Sequence, residues 1–107
     1  MLTKERKEKV VAALQKAIQA KSYSGEEKEV VQYLEKLLKD IGYDTVHIDR
    51  YGNIIGCIKG KKNGLKVLMD GHMDTVPVQE EKWKENAFGG EVKDGKIYGR
   101  GTSDMKG

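Results

Sequence analysis

The 107 residues contain a single cysteine, a single proline, a single tryptophan and a single phenylalanine. With only Cys57 present, no internal disulfide can form, which fits a reducing compartment and leaves the fold to its packing. Cys57 stands in "NIIGCIKG" between apolar neighbours, where a free cysteine is expected as a small buried hydrophobe. No apolar run is long enough to cross a bilayer, and the opening "MLTKERKEKV" is not a signal peptide. The expectation is therefore a cytoplasmic protein with no membrane partner. Charge of one sign is missing too. The net charge is only +3, and lysines are interleaved with Glu and Asp as on a solvated surface. No basic block with interleaved aromatics marks a nucleic-acid partner.

What is present is polar but patterned. Charged residues make up 35% and hydrophobic ones 37%, and the apolar positions recur periodically, which separates the chain from disordered sequences. The length fits one modest domain able to bury a core without staples. Residues 3–20 read as a helix with Val10, Val11, Leu14 and Ile18 on one stripe. In "KSYSGEE", Ser24 and Glu27 have the spacing of a capping box, so a second helix is expected from Gly25 or Glu26 to about Ile41. Val30, Leu34, Leu37 and Ile41 form its apolar face, Val31 and Leu38 flank it, and Gly42 is placed to end it.

Beyond Gly42 the period changes to that of strands. "DTVHI" and "IIGCIKG" flank the turn "DRYGN", and "KKNG" turns into "LKVLMD". The last is almost continuously apolar, as expected of a strand covered on both faces. In "EVKDGKIYG", Asp94-Gly95 is a hairpin signal. The expected fold class is α/β: two N-terminal helices followed by strands of a mixed sheet.

The chemistry concentrates in "VLMDGHMDTVP", where an apolar run ends in Asp70, Gly71, His72 and Asp74 and is closed by Pro77. Residues two apart on extended backbone share a side, so His72, Asp74 and Asp70 project together and Met73 opposes them. His-x-Asp can supply a metal ligand and the carboxylate that orients it; on its own it is more often a hydrogen-bonded pair or a solvated turn at a strand end. Gly71 lets the backbone bend there. A metal needs three or four protein ligands. His47 reads as a solvent-facing strand residue, and Glu80, Glu81 and Glu85 read as a solvated loop. Spacing alone therefore closes no zinc site. "GRGTSDMKG" lacks the order of a phosphate-binding loop. Taken alone, it is a turn at Gly99 and Gly101 with Arg100, Asp104 and Lys106 as surface charges.

Together, "LMDGHMDTVP", Trp83 and "AFGGEVKDGKIYGRGTSDMKG" closely resemble the M20 family of metallopeptidases and amidohydrolases. Dipeptidases, aminoacylases, acetylornithine deacetylases and succinyl-diaminopimelate desuccinylases belong to it. "SYSGEE" and "YGNIIG" extend the likeness over essentially the whole chain. The resemblance implies that His72 binds one of two catalytic metal ions, usually zinc with cobalt or manganese as alternatives. It implies that Asp74 supports His72, that Asp104 bridges both metals, and that the Asp104–Met105 peptide bond is cis. The implied reaction is metal-assisted hydrolysis of an amide bond in a small peptide or N-acyl amino acid. In the family, a Glu-Glu pair, the remaining ligands and a smaller lid domain through which members dimerise lie beyond the "DMKG" block.

Residues 1–107 are accordingly expected to be the N-terminal part of a metal-binding catalytic domain, inactive by themselves. The alternative is a non-catalytic α/β remnant that binds a partner or complements a second chain. Ala87 departs from the family's usual proline, which should only loosen a turn.

Overall fold

The computed structural model describes residues 1–107. Helix α1 (Lys4–Gln19) opens at Thr3, whose hydroxyl oxygen accepts from the Arg6 N–H at 3.2 Å and satisfies one of the unpaired donors of the first turn. The apolar stripe is used at its far end: Ala17 and Ile18 are buried, whereas Val10 is exposed.

Helix α2 (Lys28–Ile41) begins later than the capping-box reading predicts, and Glu27 occupies its N-cap without a side-chain bond to the helix. The Ser24 hydroxyl is engaged elsewhere, by Asp74, and Glu27 Oε1 accepts from the Gly25 N–H at 2.8 Å instead. Its C-terminus matches expectation. Gly42 is left-handed at φ 99°, and its N–H reaches the carbonyls of Leu38 and Lys39. Val30 and Val31 are buried, and the Tyr33 hydroxyl ties the helices together by donating to Ala13 O at 3.1 Å. Burial raises the Tyr33 hydroxyl's pKa above its ordinary value.

Strands β1 (Thr45–Ile48) and β2 (Ile54–Cys57) form an antiparallel hairpin in which Thr45 faces Cys57 and Ile48 faces Ile54. Asp49 organises its turn by accepting from the Tyr51 and Asn53 backbone N–H groups and from the Asn53 side-chain amide. Helix α2 and Tyr43 press on one face of the hairpin. A Cβ at Gly56 would stand 2.7 Å from the Tyr43 ring and 3.1 Å from Leu38 Cδ1. Cys57 and Ile55 alternate to the other face, which nothing covers. Cys57 is therefore exposed, contrary to the buried hydrophobe expected from its neighbours.

The second hairpin, β3 (Glu91–Lys93) and β4 (Lys96–Tyr98), turns at Asp94 (φ 51°) and Gly95 (φ 73°). Two positive φ angles are what the tight Asp-Gly turn requires.

No mixed sheet forms. The architecture is two separate two-stranded antiparallel sheets, and the parallel pairing is confined to a bridge between Tyr23 and Thr75. "LKVLMD" is not a strand either. Leu65, Val67, Leu68 and Met69 are 100%, 86%, 89% and 90% exposed. A strand needs a neighbour to satisfy its backbone groups, and each hairpin pairs only with itself. The core is narrow. Ala17, Ile18, Ala20, Val30, Val31 and Ala87 form it, joined by the buried polar residues Ser22 and Thr75. No helix is long and apolar enough to cross a membrane.

Candidate metal centre

The segment that carries the His-x-Asp pair is fixed by the connection between α1 and α2. The Thr75 N–H donates to Ser22 O at 2.8 Å, and the fully buried Ser22 donates its hydroxyl to Met73 O at 2.7 Å. These two bonds hold the backbone on either side of Asp74. Asp74 and His72 then meet as extended backbone predicts: His72 Nδ1 lies 3.2 Å from Asp74 Oδ1 and 3.0 Å from the Asp74 backbone carbonyl. Asp70 lines the same open cleft but makes no hydrogen bond or ion pair to either residue.

The segment around Asp104 is fixed separately. The Arg100 N–H donates to Ala87 O at 2.7 Å, and the Lys106 N–H donates to Gly101 O at 2.7 Å. The Lys106 side chain runs inward, and its ammonium donates to Ala17 O at 2.9 Å and Ala20 O at 2.8 Å. These carbonyls end α1, where unpaired oxygens and the helix dipole favour a cation. Partial burial pulls the Lys106 pKa below its ordinary value. Lys106 is thus a clamp on α1 and not the surface charge its local sequence implies. No local pattern reveals this, because the carbonyls it meets are far away in the chain.

The two segments also touch directly. A Cβ at Gly101 would come within 2.9 Å of Thr75 Cγ2, and one at Gly71 within 2.7 Å of Met105 Cε. The Asp104–Met105 bond is cis, in agreement with the resemblance.

His72 Nε2 consequently lies 2.9 Å from Asp104 Oδ1. The imidazole is held at both nitrogens, while its side chain stays 50% exposed and that of Asp104 87% exposed. The hydrogen bond to Asp104 is the largest influence raising the His72 pKa above its ordinary value, followed by the Asp74 backbone carbonyl. The Ser24 hydroxyl, which donates to Asp74 Oδ2 at 2.5 Å, is the main influence holding Asp74 below the usual carboxylate range.

An imidazole nitrogen and a carboxylate oxygen converging on one point are suitable donors for zinc and similar divalent ions. Their number is short of a closed centre. No group of three or more His, Cys, Asp or Glu side chains is placed to hold a metal ion. His47 is exposed on β1, Cys57 is exposed on β2, and Glu80 and Glu81 lie in an exposed 3₁₀ turn. Ser22, Ser24 and Lys106 support the pair, and motif spacing did not single them out for that role. The signal was present for Ser24, as a hydroxyl in "SYSGEE", but it fitted a helix cap equally well.

The sequence profile of peptidase family M20/M25/M40 matches residues 68–107, which contain His72, Asp74 and Asp104. Over that block the chain is an M20-like segment. A succinyl-diaminopimelate desuccinylase 2 from Ruegeria sp. (strain TM1040) is 35% identical over 92 residues, covering 83% of this chain and 23% of that protein. The succinyl-diaminopimelate desuccinylase of Nitrobacter hamburgensis is 42% identical over 85 residues, covering 69% of this chain and 21% of that protein. Uncharacterized protein YgeY of Escherichia coli K12 is 41% identical over 87 residues, covering 80% and 21% respectively. The chain therefore spans about a quarter or less of the length of these M20 relatives.

Proposed function

We propose that these residues are the N-terminal part of the catalytic domain of a cytoplasmic, metal-dependent amide hydrolase, in which His72 and Asp104 are metal ligands and Asp74 orients His72. The observation that carries this reading is the convergence of His72 Nε2 and Asp104 Oδ1 at 2.9 Å from positions 32 residues apart, with Asp74 on the other ring nitrogen. A histidine that gives its second nitrogen to a carboxylate or carbonyl is the usual arrangement of a metal-binding imidazole.

Zinc is the metal that the donors and the family favour, two ions per complete site, with cobalt or manganese as substitutes. A divalent ion there supplies Lewis-acid polarisation of the scissile carbonyl and acidifies water. The protein's own contribution is positional. Asp74 fixes the ring's orientation and raises its basicity, and the Lys106 clamp holds the segment that presents Asp104. Neither Glu80, Glu81 nor Glu85 makes a hydrogen bond or ion pair with the histidine, so none is placed as a general base. The base and the remaining ligands are expected from further polypeptide, and residues 1–107 alone are expected to be inactive.

The names of the relatives favour an N-acyl amino acid, such as an N-succinylated one, over a long peptide as substrate. The full-length protein loaded with zinc should hydrolyse N-acyl amino acids or dipeptides, and His72→Ala should remove nearly all of that activity. Undiminished hydrolysis by the His72→Ala protein would overturn the assignment.

A further inference from the structure

The hydrogen bonds of His72 leave one question of orientation. Its Nδ1 faces two acceptors on the same residue, the Asp74 backbone carbonyl at 3.0 Å and Asp74 Oδ1 at 3.2 Å. The backbone carbonyl is fixed by the bonds of Met73 and Thr75 to Ser22. The carboxylate is not fixed by its own torsion, because the terminal torsion of an aspartate is broad. The side-chain hydrogen bond to Asp74 from outside the pair comes from the Ser24 hydroxyl, on Oδ2 at 2.5 Å.

We propose that Ser24 is a positioning residue for the metal-side histidine: by holding Asp74 Oδ2 it turns the carboxylate so that Oδ1 meets His72 Nδ1. The proposal rests on the metal-ligand reading of His72 given above. Three features of the chain support it. Ser24 sits one residue from Tyr23, whose backbone bridges to Thr75, so the hydroxyl is delivered from backbone tied to the very segment it contacts. The following Gly25, at φ 87°, bends the chain, and α2 starts only at Lys28 with Glu27 at its N-cap, so the Ser24 hydroxyl caps no helix. The division of labour is also clean, since Ser22 fixes the backbone flanking Asp74 and Ser24 fixes its side chain. A hydroxyl donating to a carboxylate is a charge-assisted bond, stronger than a neutral one. Support of this kind beyond a ligand is typically worth 10–100-fold in metal affinity when the partner touches the ligand directly, so one bond further out the expected loss is about 3–10-fold.

The test uses the full-length protein and reads cobalt and zinc affinity, with the visible cobalt spectrum as a signature of the ligand field. It also reads the ¹⁵N shifts of His72 in the metal-free protein. Ser24→Ala should weaken metal binding about 3–10-fold and shift the His72 Nδ1 resonance, and Ser24→Thr, which keeps the hydroxyl, should restore both. In an Asp74→Ala background Ser24→Ala should cost nothing further, because Ser24 acts through that carboxylate. Wild-type affinity in Ser24→Ala, or a loss that persists undiminished without Asp74, would overturn the proposal. His72→Ala run in parallel separates the two ideas. If it leaves metal binding intact, the metal-ligand reading fails. The metal-free ¹⁵N shift then decides Ser24 by itself, and an unchanged shift in Ser24→Ala refutes its positioning role.

Discussion

Helix α2 and the stretch Leu65–Met69 are both rich in large aliphatic residues, and they meet opposite fates. Val30 and Val31 of α2 are buried, whereas Leu65, Val67, Leu68 and Met69 lie almost fully exposed. The difference is not hydrophobicity. A helix satisfies its own backbone and needs only apolar neighbours, which α1 and the first hairpin supply. An extended segment must find partners for its backbone as well as its side chains, and each hairpin is already paired with itself. Burial is a property of the partner as much as of the residue.

That contrast can be broken or sharpened by substitution. Ile18, fully buried at the end of α1, should be the most sensitive position: Ile18→Ala is expected to cost about 2–5 kcal/mol in denaturant unfolding. The opposite change at the same contact is Gly99→Ala, whose new Cβ would clash with Ile18 Cγ2. It should destabilise by about 1–3 kcal/mol through overpacking. Lys106→Met keeps the apolar stem but removes both bonds to the end of α1, and is expected to cost about 1–3 kcal/mol. Leu68→Ser, on the exposed stretch, should change stability by less than about 0.5 kcal/mol. A large loss in Leu68→Ser would show that the stretch is packed after all, and the comparison with α2 would fail.

The least effect is expected from acid. The Asn53 side-chain amide is the main cause of the lowered Asp49 pKa, and the Tyr51 and Asn53 backbone N–H groups add to it. A carboxylate with a depressed folded value stabilises the fold above its ordinary value of about 3.9 and loses that contribution as pH falls through the folded value. The β1–β2 turn should therefore loosen at the acid end, visible as faster amide exchange at Tyr51 and Asn53. Asp49→Asn should flatten that acid limb. If the turn amides of that variant keep the wild-type pH dependence, Asp49 is not its source.

The elements legible in the sequence are those whose determinants are local. Both helices, the Gly42 stop, the Asp49–Asn53 turn and the Asp94-Gly95 hairpin depend on residues within a few positions of one another. The illegible parts depend on distant partners. Cys57 was expected inside because its neighbours are apolar, but alternation puts it on the uncovered face of β2. Lys106 looked like a surface charge because the carbonyls it clamps belong to α1. Ser24 looked like a cap because the carboxylate that accepts its hydrogen bond lies at Asp74. In the site, the His-x-Asp contact followed from the two-residue period of extended backbone. The meeting of His72 with Asp104 followed from no spacing and entered only through the family resemblance.

The most direct test of the central reading is a crystal structure of the full-length protein grown with zinc, with anomalous data at the zinc edge. The account predicts an anomalous peak about 2.0–2.2 Å from His72 Nε2 and from a carboxylate oxygen of Asp104, with Asp74 still on Nδ1. Zinc bound elsewhere while the His72–Asp104 contact stays closed would contradict it.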